Sequence, residues 1–231
     1  MEKQIKKDPI QLVGNLLKSA RSASHEEYTP EQLKKIRQDQ TDKFLLACQK
    51  ECPSFSVSDM NRNLINEIFL YANGRSQVFD SAKGLWLYGP VGTGKSTIIQ
   101  ILRTYDFLSK LDDIGWKSSG GFGIVSASMV SNQFARKGLD GIDRYAYNNG
   151  KPETWAFDEV GREPRPTKYF GTEMNVMQFV FQTRYEFRCK CLTHVTTNMS
   201  PEDITPKYGD YIADRVNEMF NVVEIKGESR R

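Results

Sequence analysis

The chain has 231 residues, 39% of them apolar and 26% charged, which supplies a sizeable core and excludes a disordered chain. Lys plus Arg is 32 and Asp plus Glu is 29, a net charge of +3 that excludes a polycation but leaves room for a local basic patch. Four cysteines in Cys48/Cys52 and Cys189/Cys191 pairs fit free thiols in a reducing compartment better than zinc, because His25 and His194 bring no companion motif.

The N-terminus, Met1 to Asp8, is charged and no apolar stretch follows it. That argues against a secretory signal and predicts a cytoplasmic protein. No apolar run approaches the roughly 18–20 residues of a bilayer span, so no membrane role is expected. Ile10, Leu12, Val13, Leu16 and Leu17 recur at helical spacing and predict a helix over 9–20. A loop follows through His25 to Tyr28. Thr29, Pro30 and Gln32 then read as cap, first helical position and capping-box partner of a helix running to about Cys52, where Pro53 stops it. Ser58 can cap a third helix through Ile65, Phe69 and Leu70, ending at Asn73-Gly74.

Near residue 76 the pattern changes to short apolar runs alternating with helical stretches. The runs are Leu85–Tyr88, Gly123–Ala127, Thr154–Phe157, Leu192–Thr196 and Val222–Ile225. Helical patterns lie between them at about 95–109, 129–147, 173–188 and 201–219. This alternation predicts an α/β fold with a mostly parallel sheet and helices on both faces. The expected division is a helical region over 1–75 and an α/β core over 76–231.

Gly89-Pro90-Val91-Gly92-Thr93-Gly94-Lys95-Ser96 fits G-x-x-x-x-G-K-[ST], the phosphate-binding P-loop. A buried-strand signal precedes it, and an amphipathic helix opens at Thr97. Glycines let the backbone N–H groups turn toward phosphate oxygens, and the helix N-terminus adds partial positive charge. Lys95 would reach the β- and γ-phosphates of ATP, and the Ser96 hydroxyl would ligate Mg²⁺. A P-loop predicts a second site on another strand end. Thr154-Trp155-Ala156-Phe157-Asp158-Glu159 supplies an apolar strand ending in two acids, a Walker B pattern. Asp158 would hold Mg²⁺ and Glu159 would orient the attacking water. Asn198 ends a further strand and can help hold that water, or serve as a turn residue. Ser200 is the better cap, with Pro201 and Asp203 behind it, which frees Asn198 for the site.

Two segments mix cations and aromatics as a strand-binding groove does. One carries Arg136, Lys137, Arg144 and Tyr145. The other follows the acid pair and carries Arg165 and Lys168. Solvated faces and core aromatics explain both segments about as well.

Together, the P-loop, Asp158-Glu159, the strand ending at Thr197-Asn198, and Ala213-Asp214-Arg215 resemble the AAA+ ATPases. The run Thr197 to Asp203, Gly209, the Asp-Arg pair, Arg184-Tyr185-Glu186 and the tail Glu228-Ser229-Arg230-Arg231 resemble the clade of bacterial helicase loaders of the DnaC and DnaI type and the transposition helper IstB. The resemblance covers about residues 80–231. It implies a P-loop NTPase three-layer sandwich with a five-stranded parallel sheet. It also implies that ATP and Mg²⁺ are bound and that hydrolysis switches assembly. In it Asn198 matches sensor 1, and Arg215 matches an arginine finger acting on a neighbouring subunit; a surface ion pair with Asp214 or Glu218 is the other reading of Arg215. Arg184 is a second candidate for a trans or inter-element contact. Only six residues follow Ile225, so a helical lid is not expected, and Arg230 or Arg231 would partly stand in for it. The resemblance further implies that residues 1–75 dock on a replicative helicase, or on a transposase in the IstB branch, and that the core meets single-stranded DNA. A non-hydrolysing nucleotide-binding interaction module is the reading from another class.

Overall fold

A computed structural model describes residues 28–55, 57, 61–114 and 121–227. The expected helix over 9–20, the loop at His25, the Ser58 cap and the tail Glu228–Arg231 lie outside these residues. The chain divides into two units between Asp42 and Lys43.

Helix α1 runs Pro30–Glu51. The predicted capping box is present: Gln32 N–H donates to Thr29 Oγ1 at 3.2 Å, and Thr29 N–H donates to Gln32 Oε1 at 2.7 Å. Helix α2 runs Arg62–Ala72 and ends where Gly74 takes φ +63, with Arg75 N–H returning to Leu70 O. From Lys43 onward these helices belong to the same unit as the sheet, where Phe44 packs on Phe69 and Tyr105.

The apolar runs become five parallel strands: β1 Gly84–Tyr88, β2 Gly123–Ser126, β3 Trp155–Val160, β6 Thr193–Thr197 and β7 Phe220–Glu224. Their order is β2-β3-β6-β1-β7. Side chains alternate across the sheet, so β1 feeds two cores. Trp86 joins Phe157, Phe181, Val195 and Phe220 on one face. Leu85 and Leu87 join Ile98, Ile99 and Leu102 of helix α3 (Lys95–Ile114), with Phe44, Cys48, Ile68 and Tyr71, on the other. Both faces are covered, which is why the strands read as continuous apolar runs. The result is the three-layer sandwich that the alternation implies.

Three stretches differ from the sequence expectation. The helical pattern over 129–147 ends early: α4 spans Ala127–Lys137, Gly138 caps it at φ +61, and three 3-10 turns follow. The pattern over 173–188 is preceded by an unforeseen hairpin, β4 Thr167–Tyr169 and β5 Thr172–Met174, before α5 Val176–Glu186. The pattern over 201–219 breaks at Gly209 (φ +82) into α6 Ile204–Tyr208 and α7 Asp210–Met219. Among the described residues no helix is long and apolar enough to cross a membrane.

Candidate nucleotide site at the strand ends

Sheet order explains the site. In a parallel sheet the loops at the C-terminal strand ends share one edge, and β6 lies between β1 and β3. The P-loop leaves β1, the acid pair ends β3, and Asn198 leaves β6. All three therefore border one cavity of about 540 Å³. Its lining includes Val91 to Ile98, Glu159, Arg162, Thr196, Thr197 and Asn198. Apolar side chains of Phe55, Leu64, Ile65, Ile101 and Ile225 also line it, together with polar Ser54, Asn61 and Lys226.

The P-loop wraps as its glycines allow, with φ of +139, +84 and +91 at Gly89, Gly92 and Gly94. A Cβ at Gly94 would meet nothing within 4 Å, so this turn faces open space. Helix α3 begins at Lys95, and its first N–H groups have no intrahelical acceptor. Lys95 is only 8% exposed, and its Nζ donates to Gly89 O at 2.8 Å and Pro90 O at 2.6 Å. Burial pulls its pKa down; the Asp158 charge opposes that shift, Arg162 adds to it, and Glu159 opposes it.

Ser96 Oγ donates to Asp158 Oδ1 at 2.8 Å. A hydroxyl and a carboxylate at that separation are hard oxygen donors of the kind Mg²⁺ takes alongside substrate phosphates. The residues present therefore fit that ion.

Sequence reasoning missed Thr196. Its hydroxyl donates to Asp158 Oδ1 and accepts Glu159 N–H at 3.1 Å. The β3–β6 register shifts between Phe157 and Val160, and Glu159 sits at φ +56. The acid pair thus stands on a β-bulge, a device that re-aims side chains. Thr196 replaces the ladder bond that the bulge removes. A threonine inside a β-branched run carries no signal of this role. Glu159 Oε1 pairs with Arg162 Nη1 at 2.6 Å, and both side chains are half exposed.

Asn198 is exposed at the rim. The expected Ser200 cap is present, with Ser200 N–H donating to Asp203 Oδ2 at 2.9 Å, so the asparagine is not needed as the cap. Arg215 is not among the cavity-lining residues. Its guanidinium lies 3.5 Å from the Tyr211 ring centroid and 4.6 Å from that of Tyr185, with Asp214 at 3.7 Å. Arg184 is 1% exposed and makes inter-element bonds to Thr193 Oγ1, Tyr145 O, Glu153 O and Leu192 O. Its side chain is committed inside the fold, not offered to a neighbour.

The six candidate DNA residues separate. Arg136, Lys137 and Lys168 are exposed. Tyr145 is a correction: it is 6% exposed and packs edge-on against Trp155 at 4.9 Å, so its ring is core. Arg144 is exposed as well, and its guanidinium lies over the same two rings. Arg165 lies over Tyr208, with Glu163 at 4.0 Å. All four cysteines are free, and no group of three metal-ligating side chains occurs among the described residues.

No protein-family model and no curated protein matches the sequence. Solved structures do. A candidate primosome component from Streptococcus pyogenes serotype M3 superposes with a TM-score of 0.52 at 20% identity, covering 75% of this chain and 84% of that one. The DnaC helicase loader superposes with a TM-score of 0.53 at 15% identity, covering 76% of this chain and 96% of that one. The chain shares the fold of these two structures. At these identities the likeness concerns the fold, and the activity has to be argued from the site.

Proposed function

We propose that the chain is a Mg²⁺-dependent ATPase that acts as a replicative helicase loader on single-stranded DNA. The observation that carries the nucleotide reading is the convergence of Lys95, Ser96, Asp158, Glu159 and Asn198 from three strand ends on one edge of the sheet. The first N–H groups of α3 and the turn at Gly94 would hold phosphate oxygens. Gly89, Pro90, Val91, Gly92, Thr93 and Thr97 complete that cradle. Lys95 would exchange its two loop carbonyls for the β- and γ-phosphates. Ser96 and Asp158 would hold Mg²⁺, which when bound neutralises charge on the phosphate oxygens. Glu159, released from Arg162, would orient the attacking water and accept its proton, and Asn198 would help to hold that water. The apolar side chains of Phe55, Leu64 and Ile65 in the lining suit the flat base.

Arg215 would act on the nucleotide of a second copy, which makes hydrolysis depend on assembly. Residues 1–75 would carry the contacts to the partner, and the four free thiols suit a reducing cytoplasm. The likeness to a helicase loader favours a helicase as that partner. The first test is hydrolysis by full-length chain with and without single-stranded DNA and partner. Glu159→Gln should retain ATP binding and lose turnover; unchanged turnover would leave only a structural role for nucleotide. A hexameric helicase should co-purify with the full chain. Recovery of a transposase in its place would assign the transposition-helper reading.

A further inference from the structure

The β4–β5 hairpin ends in a two-residue turn, Phe170-Gly171. Phe170 is 93% exposed, more than any other large apolar side chain among the described residues. It also takes φ +43, and Gly171 takes φ +84. Such left-handed turn positions favour Asn, Asp or Gly, and a bulky residue there is an outlier. Folding would be better served by Asn at 170. An unburied ring in a strained position points to a use outside the fold.

The hairpin has a fixed seat. Tyr169 packs edge-on against Phe170 at 4.8 Å and, tilted, against Phe134 of α4 at 6.0 Å. A Cβ on Gly138 would come within 2.6 Å of the Tyr169 ring, so the hairpin lies directly on the C-terminal end of α4. At that end Arg136 and Lys137 are exposed and make no ion pair among the described residues. Lys168 lies on β4 and pairs with Glu173 at 2.8 Å, both exposed. Asp140, in the turn after α4, is exposed as well.

We propose that this corner is a binding site for single-stranded nucleic acid, with Phe170 as the platform on which a base stacks and Arg136 and Lys137 neutralising the adjoining phosphates. The proposal rests on the reading that the chain engages single-stranded DNA, and it supplies the residues. A ring this exposed can stack on any base, and cations on the neighbouring element meet the backbone. A protein partner would call for a contiguous apolar patch depleted in charge. Here one ring stands on a hairpin tip, and the helix end beneath the hairpin carries two exposed cations without an ion pair among the described residues.

The test is fluorescence anisotropy of a labelled oligo-dT with the full-length chain, with and without ATP and Mg²⁺, across a salt series. Phe170→Ala should weaken binding about 5- to 100-fold and leave the salt slope nearly unchanged. Phe170→Trp should bind like the parent chain. Arg136→Gln and Lys137→Gln should each flatten the salt slope by about 0.7. Thermal melts of all four should match the parent, because none of these side chains is buried. If Phe170→Ala binds as tightly as the parent while the cation variants bind more weakly, the stacking role is wrong. If Phe170→Ala keeps its DNA affinity but loses the co-purifying helicase, the corner is a protein-docking surface and the proposal falls. If the parent chain binds ATP but no oligo-dT even at low salt, the underlying strand-binding reading fails as well.

Discussion

Strand β6 has two ends, and their polar groups behave in opposite ways. At the N-terminal end, Arg184 lies inside the fold with its donors spent on Thr193, Tyr145, Glu153 and Leu192. His194 beside it accepts Leu85 N–H through Nδ1 at 3.1 Å. At the C-terminal end, Thr196 and Ser96 hold Asp158, but Glu159 and Arg162 face the cavity half exposed and Asn198 stands open at the rim. Buried polar groups with complete partners specify a fold; polar groups converging with capacity left over mark a site. One strand serves both purposes because the polar groups at its lower end find partners inside the fold, whereas its upper end opens on the cavity.

Substitutions at the two ends should therefore separate stability from activity. Glu159→Gln, at the upper end, should lower turnover by about 10²–10⁴-fold with no loss of melting temperature. Single-turnover hydrolysis beside a thermal melt checks this; a fall in melting temperature matching the lost activity would place Glu159 in the fold. Arg184→Ala, at the lower end, should do the reverse. It strands several buried carbonyls and opens a void, for a loss of about 3–5 kcal/mol in urea unfolding. If Arg184 instead served a neighbouring subunit, the unfolding midpoint would stay put and only partner-stimulated hydrolysis would fall.

The lower end also sets a pH dependence. Burial, helped by the positive charge of Arg184, pushes His194 down to about 3. In the unfolded chain the imidazole takes its proton near pH 6.5. Between those values the unfolded state binds more protons than the native state. The stabilising effect of a neutral His194 is therefore complete above about pH 6.5 and is lost as pH falls, by about 1.4 kcal/mol per unit. Urea unfolding at pH 6.5, 5.5 and 4.5 should show that slope. His194→Gln should flatten it, and an unchanged slope in that variant would assign the effect to carboxylates.

Much of this was legible in the sequence because it is local. The P-loop, the Thr29 and Ser200 caps, the five strands and Asp158-Glu159 are each written in a few consecutive residues. Asn198 is legible as the polar end of a further apolar run, and the order β3-β6-β1 puts that end between the other two groups. What escaped depends on neighbours distant in sequence. Tyr145 looks like a base-stacking residue until Trp155 is packed against it. The hairpin has three-residue strands and a Phe-Gly turn in place of Asn-Gly, so neither its length nor its turn announces it. The bulge at Glu159 exists only in the pairing of β3 with β6.

The smallest expected effect tests whether that bulge is part of the site. Thr196→Val keeps the shape of the side chain and removes one hydroxyl. Two interactions go with it, the acceptor for Glu159 N–H and one of the two donors to Asp158. An N–H left unpaired at a half-buried position costs about 1–2 kcal/mol, readable as a lower urea midpoint. Asp158 would keep Ser96 and lose its second restraint, so the Mg²⁺ position should loosen. Turnover at saturating ATP should fall about 3- to 10-fold, the size of effect that losing one such bond allows. Thr196→Ser should restore both quantities, because it returns the hydroxyl without the methyl. If Thr196→Val lowers the urea midpoint but leaves turnover per folded molecule intact, the bulge holds only the fold. If both fall and serine rescues both, one hydroxyl joins the stable seam of β6 to its working end.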